Sequence, residues 1–303
     1  MSIWPDEYSM SSDGVTQSLL AAAAVCPVKA ALMADRWYSP SIVKSTAFGS
    51  LCHDILETVY GDVYTGTYED IRDAVNTAID AHLTKNRDEL YEVLGAEEWE
   101  SVATKAYDVM VAYIDHYLDD WQKNKYTGLE HLAECRFGDW RLRGKLDGIF
   151  TAKDGTRWLL EHKTMSRIDE DSLWLRVSFD SQVQFYLLMY ELATGERLDG
   201  VIYNVIRNPS HKKRESLQAD LAKRPEHFFI RGEVKFTDSD RERFKHDLEA
   251  QLMELDMRVS GLLPTWRNTT ACDKPYRCTF LGWCATNNIE GLRQNDTLFP
   301  ELQ

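Results

Sequence analysis

Between Arg143 and Tyr186 the chain places Asp147, then Glu161-His162-Lys163, then Gln182 and Tyr186. Two carboxylates, an ammonium and a pair of polar helix positions are the parts with which a divalent cation hydrolyses a phosphodiester. A hard cation such as Mg²⁺ or Mn²⁺ takes oxygen ligands, here the side chains of Asp147 and Glu161 and the carbonyl of His162. Such a cation lowers the pKa of bound water and neutralises charge growing on phosphate, while Lys163 orients the nucleophile or helps to deprotonate it. The same residues on an exposed strand would be solvated ion pairs of little consequence, so their placement decides.

Trp140–Phe150 alternates apolar and polar residues, and Arg157–His162 is a second short apolar-rich run, so both read as strands. Lys153-Asp154-Gly155 between them is turn chemistry, with Gly155 suited to the left-handed position of a three-residue loop. That loop sets Ala152 against Thr156 and Asp147 against Glu161, with both carboxylates on one face. A two-residue Asp-Gly loop would set Asp147 against His162 and turn Glu161 to the other side. The catalytic reading predicts the longer loop. Lys163 shares the face of Glu161 if the strand continues.

Ser178–Leu192 reads as a helix with Gly195 past its end, and puts Gln182 and Tyr186 on one face. Ala47–Tyr60 reads as another, where His53 and Glu57 form a polar i, i+4 pair against Leu51, Ile55, Leu56 and Val59.

In order, Gly49-Ser50-Leu51-Cys52-His53-Asp54-Ile55-Leu56-Glu57, Gly144-Lys145-Leu146-Asp147-Gly148, Glu161-His162-Lys163-Thr164 and Gln182-Val183-Gln184-Phe185-Tyr186 resemble the helix-histidine, Asp, Glu-x-Lys and Gln-x-x-x-Tyr motifs of the PD-(D/E)XK nucleases. The branch they resemble is the RecB-like one, which includes CRISPR-associated and phage-encoded exonucleases. The resemblance implies a restriction-endonuclease-like α/β core: helix, three-strand meander, helix, strand. It implies His53 as an additional metal ligand, Asp147 and Glu161 as the acidic ligands, Lys163 as the catalytic lysine, and Gln182 with Tyr186 flanking the site. Glu57 is the least diagnostic match. No proline precedes Asp147, a departure that the family tolerates.

Of six cysteines, Cys272, Cys278 and Cys284 recur with five residues between neighbours in an aromatic-rich segment, and Cys26 opens Cys26-Pro27 after an Ala-rich stretch. One distant cysteine and a later cluster of three resemble the same branch, in which such cysteines hold a [4Fe-4S] cluster on four thiolates. Zinc is the rival occupant, disfavoured because the chain lacks the short C-x₂₋₄-C knuckle of structural zinc sites. A disulfide framework is disfavoured by the absence of a visible secretory signal. Cys52 and Cys135 read as small buried hydrophobes.

The elements that must position these groups follow from periodicity: helices over Thr16–Met33, Ala47–Tyr60, Tyr68–Lys85 and Glu97–Lys123; strands over Leu132–Phe137, Trp140–Phe150 and Arg157–His162; then the Ser178 helix and a strand at Gly200–Ile206. Phe228–Phe236 offers a further strand. Thr237–Ser260 reads as a helix burying Phe244, Leu248, Leu252 and Leu255. One domain is expected over all 303 residues, with a helical insertion over about 68–126 and an iron-sulfur segment over about 262–290 closed by Cys26. No run of about 18 apolar residues is present, so an intracellular, cytoplasmic protein is expected, in the host cytoplasm if phage-encoded.

A net charge of −14 argues against coating nucleic acid by bulk electrostatics but permits a local channel. Arg207, Lys212, Lys213, Arg214, Lys223 and Arg224, with Arg141 and Arg143, are candidate phosphate contacts. Trp174, Phe179 and Tyr186 are candidate base-stacking groups. The leading expectation is a metal-dependent DNA exonuclease acting on single strands or duplex ends. The alternatives are a non-hydrolytic nucleic-acid-binding module of the same fold, and a zinc-stapled helical interaction protein.

Overall fold

Two strands at the centre of the protein carry unbroken buried runs, Trp158–His162 and Gly200–Ile206, the pattern of strands covered on both faces. The structure is a computed structural model that describes residues 3–65, 71–118, 125–127, 131–273 and 277–302. The central pair is β6 (Arg157–Met165) and β7 (Gly200–Arg207), which run parallel, with Glu161 beside Tyr203. A parallel pair needs a crossover. Two helices supply it, α6 (Glu170–Val177) and α7 (Ser181–Thr194). Asp180 caps α7 by accepting the N–H groups of Gln182 and Val183, which fixes where that helix begins.

The five-stranded sheet has the order β2 (Lys125–Thr127), β5 (Gly148–Thr151), β6, β7, β8 (Phe229–Lys235), and every neighbour pair apart from β6–β7 is antiparallel. Side-chain alternation divides the interior in two. Leu159, Val201, Tyr203 and Val205 face a core shared with α1 (Gln17–Val25), α7 and α9 (Asp238–Val259). Trp158, Leu160, Ile202 and Ile206 face a second core built with α3 (Ser41–Thr65), α4 (Ile71–Val93), α5 (Ala96–His116) and α8 (Arg214–Lys223). Glu161 and Lys163 take the α7 side by parity, and His162 the other.

Several expectations need correction. The strand expected over 140–150 breaks at Asp147 into β4 (Trp140–Leu146) and β5, and β4 pairs with β3 (His131–Phe137) in a separate two-stranded sheet. The expected meander of 132–137, 140–150 and 157–162 is therefore not one sheet; its outer antiparallel position is taken by β2, from the end of the expected helical insertion. The helix expected over Thr16–Met33 is two, α1 and α2 (Pro27–Ala34). Cys26 is extended between them, because Pro27 starts α2 and cannot continue α1. The helix expected from Ser178 starts at Ser181 and is preceded by α6. The insertion helices run over 71–93 and 96–116; residues 68–70 and 119–123 of the expected spans lie outside the described residues.

The 237–260 reading holds closely. Thr237 and Asp240 form a reciprocal capping box at the start of α9, and Phe244, Leu248, Leu252 and Leu255 are buried. The cysteine-bearing segment contains α10 (Leu281–Thr286), and the short pairing of β1 (Trp37–Tyr38) with β9 (Arg293–Gln294) ties the chain's two ends together.

Candidate active site

Gly155 has φ 88° and its N–H donates to the carbonyl of Ala152, while the Ala152 N–H donates to Thr156; the turn is the three-residue loop. Gly148 then pairs with Leu160, which carries the register on to Asp147 opposite Glu161. Asp147 stands where the strand leaves one sheet for the other. Its Oδ2 accepts the His162 N–H at 2.7 Å, filling the ladder position that β5 vacates. N–H and C=O of a strand residue point to the same edge, so the His162 carbonyl also faces Asp147.

Around this pair the elements converge. Lys163 Nζ donates to Glu161 Oε1 at 2.5 Å and to Gln182 Oε1 at 2.8 Å. Gln182 Nε2 in turn donates to the Tyr186 hydroxyl at 3.3 Å. His53 reaches in from α3, with Nδ1 3.6 Å from Asp147 Oδ1. Tyr186 lies against Gly144, where a Cβ would come within 2.8 Å of its ring, so the close approach of β4 and α7 requires glycine. Glu57, the weakest match, is exposed on α3 and does not line this cleft.

Electrostatics separates the two acids. Burial raises the Asp147 carboxyl, but His53, His162 and Lys163 together more than offset it and hold the group well below the ordinary range. Burial pushes Glu161 up to about 7 against the attraction of Lys163, with the Asp147 charge adding to the rise. Burial alone would lower Lys163, yet Glu161 outweighs it and keeps the ammonium charged. Burial takes His162 down to about 3, so its ring is neutral. Glu161 is 1% exposed, and its Oε2 has no hydrogen-bond partner. A buried carboxylate oxygen without a donor is costly. A cation between Glu161 and Asp147 would satisfy it, so the donor set fits a divalent metal, although no group of three or more His, Cys, Asp or Glu side chains among the described residues is arranged to hold one.

The site opens into a cleft of 730 Å³. Sequence reasoning missed part of its lining: Thr164, Thr16–Ser18, Pro300–Leu302, and a stripe on α4 comprising His82, Lys85, Asn86 and Glu89. The α4 stripe was visible as polar residues at helical spacing.

A second cavity, of 880 Å³, is lined by Cys26, Cys272, Cys278 and Cys284. Desolvation, then the neighbouring Cys278 and Cys26, raise the Cys272 thiol. Asn268 links the group, its N–H donating to Cys26 Sγ at 3.4 Å and its carbonyl accepting from Cys272 Sγ at 3.8 Å. The four thiols share the lining of one cavity, but among the described residues no three or more of them are arranged as a metal-holding group. Residues 274–276 of the intervening segment lie outside the described residues. Cys52 is wholly buried as expected, and Cys135 is half-buried.

The arginines of the basic stretch are engaged, whereas Lys212, Lys213 and Lys223 are exposed. Arg214 binds Asp108 through two hydrogen bonds, Arg224 binds Asp220, and Arg207 donates to the His227 carbonyl. Arg141 and Arg143 are both held by Glu134. Of the stacking candidates, Trp174 lies over Gly232 and Tyr186 is in the site, while Phe179 is 65% exposed.

An Asp at a strand break opposite a Glu-x-Lys strand, served by a helical Gln and Tyr, is the arrangement that the motif resemblance implied. The sequence pattern of the PD-(D/E)XK nuclease superfamily matches residues 15–285, and the chain belongs to that superfamily. The crystal structure of SSO0001 is similar at 14% identity over 66% of this chain and 78% of that one, with a TM-score of 0.31. No curated protein matches the sequence. No helix among the described residues is long and apolar enough to cross a membrane.

Proposed function

We propose that the protein is a Mg²⁺- or Mn²⁺-dependent DNA exonuclease of the RecB-like kind, acting on single strands or duplex ends and carrying a four-cysteine [4Fe-4S] cluster. The observation that carries the reading is the unsatisfied Glu161 Oε2 beside Asp147, within a chain of contacts that runs from Glu161 through Lys163 and Gln182 to Tyr186. Asp147, Glu161 and the His162 carbonyl would hold the metal, with His53 as the further ligand; when bound it supplies an acidified water and offsets charge on the phosphate. Lys163 keeps its proton through Glu161 and sits where it can orient the attacking water and neutralise the phosphate. Gln182 fixes that ammonium, and Tyr186 fixes Gln182.

Cys26, Cys272, Cys278 and Cys284 would ligate the cluster, whose role on this reading is to fasten the N-terminal helices to the C-terminal segment. A binding module with a disabled site is the weaker reading, because each matched position keeps its residue type and the Lys163 contacts are intact. End-labelled single- and double-stranded DNA with Mn²⁺ and anaerobically purified protein tests the assignment. Asp147→Asn and Lys163→Met should each lower turnover by at least about a hundredfold with far-UV circular dichroism unchanged. Full activity in either folded variant would overturn it.

A further inference from the structure

The cleft wall formed by α4 comes from a helix outside the family's motifs. His82, Lys85, Asn86 and Glu89 follow one another at steps of three, one and three residues, so they share a face, and all four line the cleft. The face is anchored. His82 is 6% exposed, its Nδ1 lies 2.6 Å from Asp54 Oδ2, and its ring stacks on Trp99. Asn86 Nδ2 donates to the His82 carbonyl at 3.0 Å, and Glu89 Oε1 accepts from the Tyr38 hydroxyl at 2.9 Å.

Lys85 is different. Among the cleft's basic side chains, Arg143 is committed to Glu134, Lys163 to Glu161 and Gln182, and Lys145 is also engaged. Lys85 is exposed and, among the described residues, makes no hydrogen bond or ion pair. An unpaired ammonium on this anchored helix face, in a chain of net charge −14, is a local attraction for an anion.

We propose that Lys85, with Asn86 beside it, binds a backbone phosphate flanking the one to be cut, so that α4 positions the substrate strand across the cleft. The inference rests on the nuclease reading. Lys85 is a positioning residue on this view: its ammonium gives charge and Asn86 gives a directed hydrogen bond, without base selectivity.

The test compares Lys85→Ala with Arg87→Ala. Arg87 is on the same helix but lies over Tyr91 and does not line the cleft. Binding of a fluorescein-labelled single-stranded oligonucleotide is followed by anisotropy in EDTA across a salt series, and Mn²⁺-dependent turnover is measured on the same oligonucleotide and on bis(p-nitrophenyl) phosphate. Lys85→Ala should reduce the slope of log affinity against log salt by about 0.7, the value of one single-strand phosphate contact. It should raise KM for the oligonucleotide and leave bis(p-nitrophenyl) phosphate hydrolysis unchanged. Arg87→Ala should do neither. Wild-type slope and KM in Lys85→Ala, or an equal loss in Arg87→Ala, would overturn the inference. Absence of hydrolysis by the wild-type protein would overturn the nuclease reading alone, and the binding slope would still decide Lys85.

Discussion

Glu161 is the residue at which stability and function pull apart. Its folded carboxyl is raised from 4.5 to about 7, mainly by burial. A raised acid contributes stability that is fully present below its unfolded value and is lost as pH rises through its folded value. The metal-free wild-type protein should therefore lose stability between pH 4.5 and about 7, while the depressed Asp147 contributes stability that disappears only on acidification below 3.8. Glu161→Gln should flatten the first of these slopes and abolish Mn²⁺-dependent turnover. Urea unfolding in EDTA at a series of pH values measures it; parallel wild-type and variant profiles would remove burial as the cause. The residues themselves were legible. Asp147, Glu161, Lys163 and Gln182 stood out by type and spacing and His53 only through the family resemblance, and the five meet in one place. Lys85 and His82 were not singled out, because a polar stripe on a surface helix looks the same whether it faces solvent or a cleft.

At the level of elements, legibility followed the strength of the local signal. The three-residue hairpin loop, the αL cap at Gly195 and the helix start at Thr237 each rest on a residue with one dominant local use, and each is where it was expected. Sheet membership was not legible. Alternation shows that 132–137 and 140–146 are strands, but which edge they join depends on the break at Asp147, whose carboxylate replaces a backbone partner. The helix α6 was missed because its exposed, acid-rich turn buries only Leu173 and Val177. The hairpin also makes a prediction. Deleting Lys153 leaves Ala152 opposite Thr156 across a two-residue Asp154-Gly155 turn, a favoured hairpin connection. The buried faces of β5 and β6 hold the register, so Asp147 stays opposite Glu161. Activity should stay within about twofold of wild type, since loop-closure entropy changes little over one residue. A large loss in a folded variant would mean that loop length sets the register.

Across the whole molecule, the two cavities are neighbours rather than separate features. Thr16 and Glu301 line both, joined by a 2.9 Å hydrogen bond from the Thr16 hydroxyl to Glu301 Oε1. Thr16 also caps α1, the helix that ends at Cys26, so the cysteine cavity is linked through one nine-residue helix to the wall of the catalytic cleft. Asp147, Glu161 and Lys163 depend instead on the central sheet, which has its own two cores. Breaking the proposed cysteine tie should therefore disturb the wall and spare the floor that carries Asp147, Glu161 and Lys163. On the proposed iron-sulfur reading, Cys26→Ser, purified anaerobically, should lack the absorbance near about 400 nm and the iron that the wild type would carry, and should melt more than about 5 °C below wild type. Its hydrolysis of DNA at the wild-type melting onset should collapse. At low temperature, hydrolysis of bis(p-nitrophenyl) phosphate should persist, because that small ester needs the floor and not the wall. Colourless wild-type protein with bound zinc would replace the iron-sulfur assignment, and equal loss of both activities at low temperature would show that the cysteines support the sheet itself.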